Sequence, residues 1–184
     1  MSDFDATVFQ PEHGDEALAD AKPDSSTEAL IASFPAATVE IRSYASSSVT
    51  YTAVSLPVGD WVAFAEAAKA TGFDTFIDLA AVDHYTEAPR FEVALNLIDM
   101  SAKQRLIVST RVPYDDPTVP SLTNVFAGAN FYEREAYDLI GIAFPGHPDL
   151  TRILLPDEWD GHPLRKDYSI GAIPVEFKAG SVDL

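Results

Sequence analysis

At 184 residues and 19.9 kDa, with 47% apolar residues and a mean hydropathy of +0.00, the chain has the size and composition of one globular domain able to bury its own core. Its 29 acids against 12 Lys and Arg give a net charge of -17, which excludes a free-standing nucleic-acid binder, since phosphate backbones need a basic footprint. It has no cysteine, so disulfides, thiolate nucleophiles, zinc knuckles and cysteine-ligated iron-sulfur clusters are excluded together, and any redox chemistry falls to another chain.

Residues 1–35 are rich in Ala, Asp, Glu and Ser, contain Pro11 and Pro23, and show no sustained apolar period; they read as a disordered acidic tail. Lys22 is the only Lys or Arg in the first 30 residues, unlike a signal or transit peptide, and no apolar run approaches the roughly 18 residues of a membrane span. The expectation is a soluble chain that works where it is made. Residues 36–144 read as an α+β domain. Thr38–Arg42 and Val49–Leu56 are β-branched strands with Ser46, Ser47 and Ser48 as their turn. Asp60 is placed to cap a helix from Trp61 to about Thr71, with Trp61, Phe64, Ala65 and Ala68 on one face and Gly72 ending it.

Three strands follow: Thr75–Val82, Phe91–Leu97 and Arg105–Val112. In the middle one Phe91, Val93, Leu95 and Leu97 alternate with Glu92, Ala94 and Asn96, the period of a half-buried strand. The short Met100–Lys103 loop predicts an antiparallel hairpin. The fold class is therefore a mainly antiparallel sheet with helices packed on one face. After Pro113, Pro117 and Pro120 a short helix is expected over Ser121–Ala127. A second starts at Asn130, with Glu133 reaching back as in a capping box, and stops at Gly141. Residues 145–184 read as an extended arm and C-terminal tail, because Pro145, Pro148, Pro156 and Pro163 forbid a continuous helix. Their backbone groups are expected to be satisfied by a neighbouring chain.

The arm contains an internal echo. Gly146, His147, Pro148, Leu150 and Arg152 are answered by Gly161, His162, Pro163, Leu164 and Arg165. His147 and His162 have the chemistry of metal ligands or of an acid–base pair. No helical histidine spacing supports either role, and ring nitrogens that tie a loop to backbone carbonyls account for them more simply. On the second helix, Arg134 and Asp138 are spaced to pair on an outer face, whereas Glu135 shares the stripe of Phe131 and Leu139 and is expected to point inward. A buried carboxylate needs a cation, for which Arg152, Arg165 and Lys166 are candidates. Glu133 and Glu135 lie two residues apart and face different ways, unlike a catalytic pair. Asp78, Asp83 and His84 read as an exposed strand terminus. Nucleotide-binding and serine-nucleophile motifs are absent.

The run from Asn130 through Glu133, Arg134, Glu135, Tyr137, Asp138 and Gly141 resembles the signature of the 30-kDa, or C-type, subunit family of respiratory complex I. The likeness continues through Gly146, His147, Pro148, Arg152 and Pro156 to Gly161, His162, Pro163, Arg165, Lys166, Asp167 and Tyr168. Thr151 departs from it, standing where the family usually has a second basic residue. The resemblance implies a non-catalytic structural and assembly subunit of proton-translocating NADH:quinone oxidoreductase, peripheral to the cell (inner) membrane on the cytoplasmic side. It implies no cofactor in this chain, iron-sulfur clusters, FMN, NADH and quinone being handled by partners. Those partners are the hydrogenase-like large subunit of the 49-kDa type and the iron-sulfur subunits of B and I types. Glu133, Arg134, Glu135, Asp138, His147, Arg152, His162, Arg165 and Lys166 become interface or arm-anchoring residues. The alternatives are the equivalent subunit of a membrane-bound hydrogenase or of a dehydrogenase fed by another donor, and a stand-alone hydrolase using His147 and His162.

Overall fold

The computed structural model describes residue 23, residues 25–43 and residues 50–169. Among them the elements run α1 (Ser25–Ala32), β1 (Thr38–Ser43), β2 (Thr50–Ser55), α2 (Trp61–Ala70), β3 (Thr75–Asp83), β4 (Phe91–Asp99), β5 (Gln104–Val112) and α3 (Ala129–Ile140). The five strands of the described residues form one sheet in the order β1-β2-β5-β4-β3, with β3 at one edge among them. β1 pairs antiparallel with β2, and β2 pairs parallel with β5 in the register Thr52 to Leu106 and Val54 to Val108. The loop from β4 to its neighbour β5 is too short for a crossover and makes that pair antiparallel. The fold is α+β, with a mostly antiparallel sheet and three α-helices among the described residues.

By packing, the described residues divide into two units: those up to residue 77 with 95–110, and residues 78–94 with those from 111 onward. In the first, Trp61, Phe64, Ala65 and Ala68 bury one face of α2, at about 1.5–3 kcal/mol for each large side chain. Asp60 precedes that helix without a side-chain cap bond. Gly72 sits at φ 119°, and a Cβ there would run into the Asp99 carboxylate. Asp99 itself shapes the β4–β5 loop, its Oδ1 accepting the N–H groups of Ser101 and Ala102 at 2.8 Å each. The stretch read as a tail holds α1, which buries Thr27 and Leu30; two buried side chains in eight residues leave little periodic signal. The serine turn between β1 and β2, residues 1–22 and residues 170–184 lie outside the described residues.

In the second unit, Phe91, Val93, Val112, Val119, Leu122, Ile140, Ile142 and Phe144 are buried together. Residues 121–127 form turns and no helix. The proline-bracketed chain ahead of them is tied crosswise instead: the Val119 N–H donates to Ala143 O, and the Ser121 N–H to Pro145 O. α3 begins one residue before Asn130, at Ala129, and its N-cap is Gly128 with no side-chain bond. Glu133 has other business, so the capping box does not form.

Candidate interface arm and its anchoring site

The most polar buried positions in the second unit gather where the arm meets α3. Helical geometry puts Glu133, Ala136 and Ile140 on one stripe, and those three are buried. Glu133 accepts the Leu122 N–H at 2.7 Å through Oε1, doing for the turn at 121–123 what a helix would otherwise do. Its Oε2 is buried without a hydrogen-bond partner. Burial pushes the Glu133 carboxyl up from its ordinary range, while Ser121, the Leu122 N–H and His147 pull the other way without overcoming it.

Asp138 is the second fully buried acid. Its Oδ2 accepts three consecutive backbone N–H groups, from Ile153, Leu154 and Leu155, at 3.0, 2.8 and 2.9 Å. Its Oδ1 takes the Arg152 guanidinium at 2.7 Å. Burial alone would raise this carboxyl; the N–H groups of Leu155 and Leu154, the Arg152 side chain and the Ile153 N–H outweigh it and bring the pKa to about 2. Arg152 also donates to Trp159 O at 2.9 Å, so one ion pair fixes two points of the arm.

Several expectations change here. Arg134 does not pair with Asp138; it donates to Thr151 O, Thr151 Oγ1 and Arg152 O. Glu135 points outward with Phe131, which is 62% exposed, because the polar ties of Glu133 and Asp138 decide which stripe faces inward. Part of the arm's backbone is satisfied within the chain: Asp138 accepts the N–H groups of residues 153–155, Leu139 O accepts the Leu164 N–H, and Asp83 accepts the Lys166 N–H.

Both histidines of the echo bind backbone. His147 Nδ1 accepts the Asp149 N–H at 3.0 Å, so Nε2 carries the proton and donates to Asn130 O at 3.1 Å. His162 Nδ1 donates to Asp138 O at 2.9 Å, and burial pushes its pKa down. The His162 ring lies against Gly141, the αL residue (φ 80°) that ends α3, and a Cβ at 141 would overlap both that ring and the Arg165 guanidinium. Arg165 caps the same helix end, donating to Ile140 O at 2.6 Å, and stacks over Phe91 with 5.2 Å to the ring centroid. The Lys166 side chain is exposed.

Sequence reasoning missed the strongest ion pair. Asp83, far from being an exposed terminus, is buried and grips Arg90 through two bonds of 2.7 and 2.8 Å, while Arg90 grips Asp167 of the arm through two more, at 2.9 and 2.8 Å. The Arg90 bonds hold the Asp83 carboxyl far below the usual range against the cost of burial, and the two acids raise Arg90 in turn. Arg90 lies 4.8 Å from the Tyr114 ring centroid and 5.1 Å from that of Phe91. The available signal was an acid closing one strand of a hairpin and an arginine opening the next. Among the described residues no group of three or more His, Asp or Glu is arranged to hold a metal ion, and no helix is long and apolar enough to cross a membrane.

An α+β fold whose second unit spends its polar residues on fastening a long irregular arm matches a known class. The chain matches the family described as "Respiratory-chain NADH dehydrogenase, 30 Kd subunit" over residues 54–173. It belongs to that family. It is 44% identical over 111 residues to the C-type subunit of NADH-quinone oxidoreductase from Saccharopolyspora erythraea, covering 60% of this chain and 45% of that protein. It is 47% identical over 105 residues to the C-type subunit from Roseiflexus sp., covering 57% and 60%. The chain thus spans about half the length of these curated relatives. A solved trypsin-resistant fragment (1-134) of Nqo5 superposes with a TM-score of 0.58 and 32% identity, covering 67% of this chain and 96% of the fragment. A chain of an archaeal membrane-bound sulfane sulfur reductase shares the fold, with a TM-score of 0.67 at 21% identity over 78% of this chain and 84% of that one.

Proposed function

We propose that the chain is a structural and assembly subunit of the peripheral arm of proton-translocating NADH:quinone oxidoreductase, with no catalytic residue or cofactor of its own. In this reading it docks on the hydrogenase-like large subunit of the 49-kDa type, near the iron-sulfur subunits of B and I types, on the cytoplasmic side of the cell (inner) membrane. The observation that carries it is the engagement of the chemistry-bearing side chains. Asp138, Arg152, Arg134 and His147 spend their polar atoms on backbone of the arm and of α3 or on one another, so they hold a shape. His147 has both ring nitrogens on backbone groups, which leaves no lone pair for a metal or a proton transfer and speaks against a hydrolase. The lack of cysteine supports leaving the iron-sulfur clusters to neighbours.

Replacing Arg165 with Ala tests the reading. It removes the bond to Ile140 O and the stacking on Phe91. A loss of about 1 kcal/mol would lower the equilibrium constant for assembly roughly fivefold and with it the amount of complex. Native gels read the amount of complex, and quinone reduction is measured per assembled complex. Less complex with unchanged turnover per complex is the expected result. Full assembly with abolished turnover would put the arm in the quinone chemistry and overturn the scaffold reading.

A further inference from the structure

On the second unit an open groove of about 300 Å³ runs between β3 and the side of α3 that carries Tyr132, Glu135 and Leu139. Its floor is apolar, with Leu79, Ala136 and Leu139 among its residues, and Leu164 of the arm, 57% exposed, forms one lip. Two carboxylates, Asp78 on β3 and Glu135 on α3, line it. Neither makes a hydrogen bond or ion pair among the described residues, while Asp83, Asp138 and Asp167 of the same unit are all paired with arginine. A groove of this volume holds one or two large side chains. Among the described residues no further strand lies beside β3 at this groove, and an edge strand can take up an extended chain.

We propose that this groove receives an extended, basic segment of a neighbouring subunit, with a bulky apolar side chain on Leu79 and Leu139 and a Lys or Arg between Asp78 and Glu135. The inference rests on the subunit reading above. Charge complementarity selects the occupant: a chain of net charge -17 repels a second copy of itself, and two unpaired acids flanking an apolar floor call for a cation next to an apolar anchor. The arm serves the groove by holding Leu164 on its lip, through the Leu164 N–H bond to Leu139 O at 3.0 Å.

The test uses the complex purified from native membranes, with photoreactive benzoyl-phenylalanine in place of Leu164 and, as a control, of Met100, an exposed residue outside the groove. Mass spectrometry identifies the cross-linked peptide. The expected product from position 164 joins a partner subunit at a segment with Lys or Arg within a few residues, is absent from the control, and falls about tenfold in yield in the Asp78→Asn, Glu135→Gln double variant. Because neither carboxylate is paired within the described structure, the double variant should melt at the temperature of the parent chain, which separates lost docking from lost folding. A cross-link to residues 170–184 of the same chain, to a second copy, or to a segment without a cation would overturn the proposal, as would a yield insensitive to the double variant. If the chain is retained with the oxidoreductase subunits but gives no such product, the groove inference alone fails; if it is not retained with them at all, the subunit reading fails as well.

Discussion

Asp138 fastens the arm to α3 through four hydrogen bonds of its carboxylate. Replaced by Ala, it would strand the Arg152 guanidinium and release three backbone N–H groups at once. Removing one partner of a buried ion pair costs about 3–5 kcal/mol, so Asp138→Ala should show a loss of that size in urea denaturation. Glu133 works in the opposite sense. Its carboxyl is raised above the 4.5 of an unfolded chain, so the folded state holds the proton more tightly. The stability this contributes is full below pH 4.5 and is lost as pH rises through the folded value. Glu133→Gln keeps the acceptor for the Leu122 N–H without a charge. Its denaturation midpoint should therefore be flatter with pH above 4.5 than the parent's, and equal slopes in the two proteins would remove Glu133 as the source.

At the scale of elements, the junction of α3 with the arm turns on Gly141. An Ala there would bear the left-handed penalty of about 1–2 kcal/mol and also collide with the His162 ring and Arg165. Gly141→Ala should therefore lower the melting temperature by more than an exposed helix-ending glycine would, by roughly 6–12 °C for about 3 kcal/mol in a chain this size. A shift of only a degree or two would mean the arm yields freely. The elements themselves were legible where a period was strong. β4 shows its alternation in the residues, and α3 its end at Gly141, because both signals are local. The buried stripe of α3 was not legible: Phe131 looks like core and Glu133 like surface until the Leu122 N–H and residues 153–155 are in place. The same holds for Asp83, Arg90 and Asp167, since Arg90 and Asp167 stand 77 residues apart. Spacing in sequence does not report such a pair. The histidines were easier, because a His-Pro turn offers its ring to nearby carbonyls whatever the fold.

For the molecule as a whole, α1 moves the boundary of the folded part toward the N-terminus. Deleting residues 2–32 removes the buried Thr27 and Leu30, which should cost about 2–4 kcal/mol in urea denaturation. An unchanged midpoint would show that the helix contributes nothing. The parallel pairing of β2 with β5 has a separate consequence for the growing chain. Ser55 and Ser109 share a hydrogen bond at 2.9 Å across 54 positions of sequence. At about 5–20 residues per second, a ribosome needs about 3–11 s to span that interval. Throughout it, the side of β2 that ends up against β5 faces solvent without its partner, and neighbouring nascent chains carry the same unpaired edge.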